Sequence, residues 1–338
     1  MDYYSIITWL LEKDNPSIRY RTLTELLDRP PDDPEVAAAR AAIPDSKDAQ
    51  RIFKKMQPDG TWRQKVTRNT VRIFAEAQGG SAPEHKSEKT EIWFGQGTEY
   101  GNYATTHFVL AYLAELGFDR SDPRVAKAAE RYLSLQAPDG DFLGHFSCLY
   151  GYNIRTYILL GYRGDPRVQN SIDLMLTTER GDGGYLCDMH ADKYKTKEAK
   201  SCIRGSTKTL LAFAELPEYQ DHPRCKQLVD YFLGRGGIYK RGQPGVPVNH
   251  DVQRTTFPIV WRAGLTEILY ALSRMGYGKD ARLAGAWDLL ESKRDEQGRY
   301  ILDWFPTQAL LKPGKKGEPN KWVTLYALLA KKYRDQTV

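Results

Sequence analysis

Two cysteines of this chain lie in copies of one pentapeptide, Ser-Cys-x-x-Gly, at residues 147–151 and 201–205. Serine commonly caps helices, so each cysteine is expected in the first turn of a helix. Backbone N–H groups at a helix amino terminus lower the pKa of a thiol and favour the thiolate. The pattern therefore predicts two cysteines suited to metal binding, whereas Cys225, beside Arg224, is expected to be a packing residue.

A third cysteine, Cys187, lies between the two pentapeptides. Three thiolates and one imidazole are the ligands of a tetrahedral zinc site, and we predict zinc on Cys148, Cys187, Cys202 and His190. His145 or a water molecule could take the fourth position instead, and a water ligand would leave the site open for catalysis. Two other interpretations remain: small buried side chains at helix starts, or a disulfide or redox pair.

Aromatic residues make up 12% of the chain, and many lie where apolar helices are expected to begin or end. Such side chains can line a cavity for an apolar or cationic ligand, or they can simply fill the interior of the fold. The residues predicted to line a substrate cavity are Tyr103, Tyr152, Trp261, Trp304 and Trp322.

Four further residues are candidate acids or bases. His250 and Asp251 are adjacent and could form an acid–base pair, although adjacent side chains often point apart and an exposed loop is the simpler interpretation. Asp303 lies among aromatic residues, where it is either a buried acid with a raised pKa or a helix cap. His107 either faces the cavity or is a hydrogen-bonded histidine of the core.

Two repeated sequence signals mark the elements that carry these residues. Asp-Pro-Arg-Val occurs at 122–125 and 165–168, and aspartate followed by proline is typical of a helix start. The same distance separates each proline from a glycine, Gly140 or Gly183, that is expected to end the helix with positive φ. An aromatic residue follows each of these glycines.

Each pair of signals encloses an amphipathic helix, and a more apolar helix follows it, as in residues 108–116, 154–160 and 265–275. One helix of each kind per unit predicts two layers, with the apolar helices inside. We therefore predict an all-α fold of helical hairpins, a single domain over residues 1–338, with an insertion or arm at about 64–104.

The turns Gln-Pro-Asp-Gly-Thr-Trp, at 57–62, and Gln-Ala-Pro-Asp-Gly-Asp-Phe, at 136–142, resemble those of the α/α-toroid proteins. That group includes squalene and oxidosqualene cyclases, protein prenyltransferase β subunits and lanthipeptide cyclases. The resemblance covers roughly residues 15–335. It implies inner and outer rings of helices around a central cavity, with the aspartate–glycine turns on one rim.

The resemblance carries the chemistry only in part. Terpene cyclases of this shape protonate their substrate with Asp-x-Asp-Asp, and neither that motif nor Asp-Asp-x-x-Asp occurs here, so cyclisation would need a relocated acid such as Asp303. Prenyltransferase β subunits hold zinc with Asp-x-Cys. The matching place here reads Lys200-Ser-Cys202, which keeps the cysteine and replaces the aspartate.

Composition narrows the function classes. Hydrophobic residues are 41% and charged residues 27% of 338, as in globular proteins, and no apolar run approaches the length that spans a membrane. The net charge of +6 is scattered and no nucleic-acid-binding module is found, so we expect no nucleic-acid partner and a soluble, cytoplasmic protein.

Two functions fit these observations. The first is a zinc-dependent transferase or lyase that acts on a small hydrophobic or thiol-bearing substrate. The alternative is a non-catalytic toroid that binds lipid or peptide and in which the zinc is structural.

Overall fold

A computed structural model describes residues 3–63, 103–142, 147–187, 200–259 and 262–336, with residues 147–149 described by their backbone. Apart from Tyr103 and Ala104, the predicted insertion at about 64–104 lies outside the described residues. Just over half of the described residues are helical, and the strands of the described part form one short hairpin. The helices are α1 (Tyr3–Leu10), α2 (Pro16–Arg21, continued by a π-helical turn Thr22–Leu26), α3 (Pro34–Ala42), α4 (Lys47–Phe53), α5 (Thr106–Leu116), α6 (Pro123–Leu133), α7 (Ser147–Leu159), α8 (Pro166–Thr177), α9 (Ile203–Ala214), α10 (Pro223–Leu233), α11 (Leu265–Arg274), α12 (Ala284–Glu291) and α13 (Lys321–Gln336), and the hairpin is β1 (Tyr239–Lys240) and β2 (Gln243–Pro247).

Six inner helices form a closed ring in the order α2, α5, α7, α9, α11 and α13. Each packs against the next, and α13 packs against both α11 and α2. Every residue of α5 is buried, as is every residue of α9 except Arg204. The fold is therefore an α/α toroid, as the sequence predicts. No helix in the described ranges has both the length and the apolar character needed to cross a membrane.

Each outer helix covers an inner neighbour with one apolar face. Helix α3 packs on α2, α4 and α6 on α5, α8 on α7, α10 on α9, and α12 on α11, while α1 lies against α13. In α6 the apolar residues recur at helical spacing on the buried side, and the opposite side is polar. The buried residues of α6 are Val125, Ala128, Ala129, Tyr132 and Leu133.

The two repeated sequence signals form the ends of the outer helices. Asp122 and Asp165 each accept a hydrogen bond of 2.9 Å from the backbone N–H two residues later, and the proline between occupies the first turn. Gly140 and Gly183 adopt φ of +91° and +80°. At Gly140 a Cβ atom would also lie 2.2 Å from the carbonyl oxygen of Asn170, so the turn requires glycine.

The aromatic residue after such a turn joins an outer helix to the next inner helix. The backbone N–H of Tyr185 donates to Ser206 Oγ at 2.9 Å, and its hydroxyl donates to a carbonyl of α8 at 2.7 Å. Trp62 makes the same pair of bonds, to Thr106 Oγ1 at 3.0 Å and to a carbonyl of α4 at 2.8 Å. Ser206 and Thr106 lie in the first turns of α9 and α5. The turns therefore gather where the inner helices begin, and we call this end of the ring the rim.

Candidate functional site

The end of the ring opposite the rim holds a chain of paired charges, which we call the charge chain. Its middle members are buried, and Glu25 and Arg274 at its ends are 29% and 31% exposed. The Arg21–Glu115 contact is 2.6 Å and the Arg274–Glu215 contact is 2.8 Å. Tyr326 of α13 also donates to Glu115. Each of the six inner helices therefore contributes a side chain to the charge chain, from within the helix or, for Glu215, from its C-cap position. Carboxylates and guanidinium groups alternate along the chain in the order Glu25, Arg21, Glu115, Arg155, Glu215 and Arg274.

The members of the charge chain neutralise one another, because three carboxylates face three guanidinium groups. Burial by itself would raise the pKa of Glu115, but Arg155 and Arg21 hold that pKa below its usual range. A buried charge is tolerated when it is paired and hydrogen-bonded, as these are. The charges at this end of the ring are therefore balanced. The charges at the rim are arranged differently.

At the rim, three arginines surround one carboxylate, forming the arginine cluster. Asp251 contacts Arg262 at 2.7 Å, Arg204 at 3.0 Å and Arg254 at 3.5 Å. The Asp251 side chain is 9% exposed, whereas those of Arg204, Arg262 and Arg254 are 34%, 27% and 24% exposed. Burial opposes ionisation of Asp251, but Arg204 and Arg262 hold its pKa below the usual range. Guanidinium groups thus outnumber carboxylates at this partly exposed position.

Arg262 connects the arginine cluster to a line of aromatic contacts, which we call the aromatic wall (Tyr103, Phe108 and Trp304). The Arg262 guanidinium lies 4.4 Å from the centroid of the Trp304 ring, and its hydrogen bond with Tyr103 helps to raise its pKa against the effect of burial. Trp304 meets Tyr103 edge-on with centroids 6.2 Å apart, and Tyr103 meets Phe108 at 5.3 Å. The wall continues inward to Tyr152, whose ring centroid is 5.7 Å from that of Phe108.

Tyr152 of α7 and His107 of α5 lie at the inner end of the aromatic wall. Their ring centroids are 6.4 Å apart, and the side chains are only 6% and 2% exposed. The Tyr152 hydroxyl has no hydrogen-bond partner among the described residues. Burial, and next the nearby Glu115, raise the pKa of Tyr152 well above its ordinary value, so the phenol keeps its proton. An unpartnered buried hydroxyl is costly, and such groups are often kept for function.

A buried ion pair joins α9 to α11 beside the arginine cluster. Lys208 contacts Glu267, and the two side chains are 1% and 2% exposed. Thr256 lies 3.3 Å from the other carboxyl oxygen of Glu267. Burial raises the pKa of Glu267 in spite of Lys208. Both oxygens of this carboxyl therefore have protein partners.

Two of the four predicted zinc ligands lie close together. Cys202 is the N-cap residue of α9, and its backbone N–H donates to the carbonyl oxygen of Tyr185 at 2.7 Å, which brings it beside the Cys187 segment. Burial raises the pKa of the Cys202 thiol, the N–H groups of Gly205 and Arg204 oppose this rise, and the neighbouring Cys187 adds to it. Both cysteines are free thiols.

The other predicted zinc ligands are not described at the level of side chains. Cys148 is the second residue of α7, and its side chain, like His190 and the alternative ligand His145, lies outside the described part. Gly151 of the first pentapeptide allows α7 to approach α9, because a Cβ there would lie 2.7 Å from the backbone nitrogen of Thr209. Within the described residues no group of three or more potential ligands is suited to a metal, so zinc stays a prediction.

The structure corrects one prediction about the cysteine segments, the capping role of Ser201, and agrees with another, the packing role of Cys225. Ser201 does not cap α9, because its backbone N–H and hydroxyl both donate to Asp182 and Cys202 takes the N-cap position. Cys225 is fully buried, and burial raises the pKa of its thiol to about 12, as expected of a packing residue.

Of the five residues predicted to line a substrate cavity, Tyr103, Tyr152 and Trp304 lie together along the aromatic wall. Trp322 lies in the core instead, 1% exposed and stacked on Phe257 with ring centroids 4.4 Å apart. Trp261 lies outside the described residues.

The predicted acids and bases have different surroundings. His250 is exposed, as an exposed loop predicts, but that interpretation is wrong for Asp251, which is buried within the arginine cluster. Asp303 is neither an isolated buried acid nor a helix cap. Its carboxylate contacts Lys293 at 2.9 Å and accepts the backbone N–H of Thr255 at 3.1 Å.

Sequence analysis did not single out the three arginines or the Lys208–Glu267 pair. A signal for Glu267 was present, because it directly precedes the apolar run Ile268–Leu272 of an inner helix, and buried glutamate almost always has a partner. Lys208 stands among Ser206, Thr207 and Thr209 and gave no such signal. The arginines gave no comparable signal. Asp251, Arg254 and Arg262 share the segment 251–262, but Arg204 lies 47 residues from Asp251, and only the fold brings it to this carboxylate.

No protein-family model matches the sequence, and no curated protein sequence matches it. A solved glycosyl hydrolase of family 88 from Bacteroides vulgatus has a TM-score of 0.49 at 13% identity, covering 99% of this chain and 98% of that one. A solved polysaccharide lyase has a TM-score of 0.45 at 15% identity, covering 87% and 88%. A protein from Actinoplanes has a TM-score of 0.33 at 11% identity, covering 88% and 100%.

Likenesses at this level carry no conclusion about what the present chain does, and neither of the first two names is that of a cyclase or prenyltransferase. The toroid assignment rests on the helix packing of the chain itself.

Proposed function

We propose that the rim is the active site of an enzyme that cleaves an acidic saccharide by β-elimination. The observation that carries the proposal is a single line of contacts. It leads from the arginine cluster along the aromatic wall to the unpartnered hydroxyl of Tyr152. Each part of that line supports one feature of the substrate or of the reaction.

The arginine cluster and the aromatic wall support the class of substrate. Arginine presents a planar fork of donors that matches a carboxylate, and three of them at a partly exposed position favour an anionic ligand. The rings of Trp304 and Tyr103 suit a ligand with an apolar face, as a sugar ring has. An acidic saccharide combines these two properties. The small hydrophobic or thiol-bearing ligand predicted from the sequence would bring no negative charge to this excess of guanidinium groups.

The two buried side chains at the inner end of the wall support the reaction. In elimination from a uronate, cationic groups beside the carboxylate neutralise its negative charge and make the proton on the adjacent carbon, C5, more acidic. His107 is the group that would accept this proton, because an imidazole nitrogen can act as a general base. The electron pair then forms a C4–C5 double bond and the bond from C4 to the glycosidic oxygen breaks. Tyr152, which keeps its proton, would donate it to that leaving oxygen.

The carboxylates at the rim favour elimination over hydrolysis. Glycoside hydrolysis needs two carboxyl groups on opposite sides of the bond that is cleaved. Asp251 is held by three arginines, and Glu267 is held by Lys208 and Thr256. The raised pKa of Glu267 is the one observation that favours a hydrolase, in which Glu267 would be the acid.

Incubation with a panel of uronate polymers tests the proposal. Polygalacturonate, alginate and a glucuronate-containing glycan would each be followed by ultraviolet absorbance of the unsaturated product and, separately, by the appearance of reducing ends. Absorbance and reducing ends that rise together support elimination. Reducing ends without absorbance would show hydrolysis and overturn the proposed reaction. If neither assay detected product from any of the polymers, the proposed substrate class would be overturned.

We also propose that zinc binds next to this site, on Cys148, Cys187, Cys202 and His190. Support comes from the two neighbouring free thiols at the amino terminus of α9. Arg204 follows Cys202 by two residues, so a metal held there would fix this arginine in place. A set of four protein ligands would make the metal structural, and a water ligand in place of His190 would leave it open.

Metal analysis of the purified protein by mass spectrometry tests this second proposal. Wild type, Cys187→Ser and Cys202→Ser would be compared with Cys225→Ser, which removes a buried thiol outside the predicted ligand set. Zinc in wild type and in Cys225→Ser, but not in the other two variants, is the expected result. A metal-free wild type would contradict it. Zinc without turnover of any polymer would favour the alternative of a non-catalytic binding toroid.

A further inference from the structure

A second cluster of cations lines a cavity beside the rim. The cavity has a volume of about 450 Å³ and lies between α4, the turn that carries Trp62, Ala104 and the segment 307–312. No acidic residue is among the described residues that line it. Its four basic side chains are Arg51, Lys55, Arg63 and Lys312.

Only two of these four charges are balanced. Asp48 pairs with Arg51, and Asp59 pairs with Arg63. Neither carboxylate lines the cavity. Asp48 also accepts the backbone N–H of Lys312, so it lies close to the lining. Four cationic side chains against these two carboxylates leave the cavity with a net positive charge.

Lys55 and Lys312 have no carboxylate partner among the described residues, and Lys312 donates to the backbone carbonyl of Thr307. Both lysines are exposed to solvent. Burial, followed by the nearby Arg51 and Lys55, lowers the pKa of Lys312. The effect of Arg51 and Lys55 means that like charges lie close enough to repel one another, and an anion placed among them would relieve that repulsion.

Two segments of the chain contribute residues both to this cavity and to the proposed active site. Ala104, which lines the cavity, directly follows Tyr103 of the aromatic wall. The segment that ends at Lys312 begins just after Trp304, which faces Arg262. A chain-like ligand bound along the aromatic wall would therefore have this cavity as its neighbour.

We propose that the cavity binds a second anionic group of the same acidic saccharide, so that the protein holds a polymer at two separated anionic groups. The identity of the ligand rests on the proposed function. The charge of the cavity does not, and binding can be measured without turnover. Sugar acids with a single charged group would occupy only one of the two positions.

Lysine footprinting tests the inference directly. The full-length protein would be acetylated briefly, alone or with one of three probes: a heparin hexasaccharide, glucuronate, or inorganic phosphate at the same concentration of anionic groups. Mass spectrometry with fragmentation then reports labelling at Lys55 and Lys312. Lys54 is exposed, adjacent to Lys55 and outside the cavity lining, so it serves as the internal control.

Several-fold protection of Lys55 and Lys312 by the hexasaccharide, with little by glucuronate or phosphate and none at Lys54, is the expected result. Equal protection by phosphate would overturn the polymer subsite and leave a site for small free anions. Equal labelling with and without every probe would overturn the inference altogether. Either result stands whether or not the polymer assays detect elimination, so failure here is distinct from failure of the proposed reaction.

Paired variants give a second readout. Lys55→Gln combined with Lys312→Gln should weaken hexasaccharide binding, measured by calorimetry, roughly tenfold or more, because two charged hydrogen bonds to an anion are lost. Lys54→Gln should bind as wild type does. Unchanged affinity in the double variant, with its thermal stability intact, would contradict the inference.

Discussion

The two ends of the ring use the same kinds of side chain in opposite ways. In the charge chain, three carboxylates meet three guanidinium groups, and the hydroxyl of Tyr326 is bound on several sides. At the rim, three arginines share Asp251, and the hydroxyl of Tyr152 has no partner in the described part of the chain. Matched charges hold the ring together at one end, whereas at the other end the excess of guanidinium groups is where we propose that a ligand binds.

Removal of the Tyr152 hydroxyl gives the largest expected effect. Tyr152→Phe should lower kcat by roughly 10²–10⁴-fold, the usual contribution of a positioned acid or base. Its melting temperature should not fall, because the hydroxyl makes no hydrogen bond to the described residues that could be lost. Turnover of a uronate polymer and thermal unfolding would be measured on the same preparation.

Tyr157→Phe on the same helix is the matched control. The Tyr157 hydroxyl donates to the carbonyl oxygen of Ala129 at 3.2 Å, so this variant should lose about 1 kcal/mol of stability and keep its activity. If Tyr152→Phe behaved like the control, the distinction between the two ends would fail.

The charge chain should respond in stability instead of activity. Glu115→Gln leaves Arg21 and Arg155 buried without their carboxylate, and the free energy of unfolding should fall by about 3–5 kcal/mol. Urea denaturation measures this loss. At a temperature where the variant is folded, KM for the polymer should match wild type, and a raised KM would show that the two ends are coupled.

Arg262→Gln should have a smaller effect that is confined to substrate binding. Loss of one charged hydrogen bond to a carboxylate costs about 1.5–3 kcal/mol, which corresponds to roughly a 10–100-fold rise in KM. Arg274→Gln, in the charge chain, is the control and should destabilise the protein without changing KM. An Arg262→Gln variant with wild-type KM would remove this arginine from the proposed site.

The smallest effect is a dependence on pH. The pKa of Glu115 is lowered in the folded protein, so its contribution is fully present above the unfolded value of about 4.3 and is lost as pH falls through the folded value. The stability difference between wild type and Glu115→Gln should therefore be constant near neutral pH and narrow below about pH 4. Denaturation at several pH values measures it, and a constant difference down to acid unfolding would contradict the lowered pKa.

The toroid was predictable from the sequence because its signals are local. Asp122, Pro123 and Gly140 act within a few residues of themselves, and each behaves as its residue type predicts. The proposed site was only partly predictable. Tyr103, Tyr152 and Trp304 were selected as aromatic residues near helix ends and belong to one line of ring contacts, but the same criterion also selected Trp322, which stacks on Phe257 instead. The presence of an aromatic residue near a helix end does not distinguish a side chain that lines a site from one that only fills the core.

The arginine cluster and the charge chain were out of reach of local patterns. Glu115 and Arg155 are partners across 40 residues of sequence, and their pairing depends on which helices become neighbours in the ring. A lone glutamate in the apolar helix α5 signals a buried partner without identifying it. The partner is determined by which helices become neighbours when the ring closes, and that arrangement cannot be read from a single sequence.

The contact between α2 and α13 also determines when the protein can finish folding. Arg21 donates to the Tyr326 hydroxyl across 305 residues of sequence, at 3.0 Å. A nascent chain that has emerged only as far as α11 already contains Glu115, Arg21 and Arg155, yet it lacks the hydroxyl that completes their set. Contacts this distant in sequence are slow to form, and partly folded intermediates with exposed surfaces are prone to aggregate. Helix α13 thus converts an open arc of hairpins into a closed ring, because it packs against both α11 and α2.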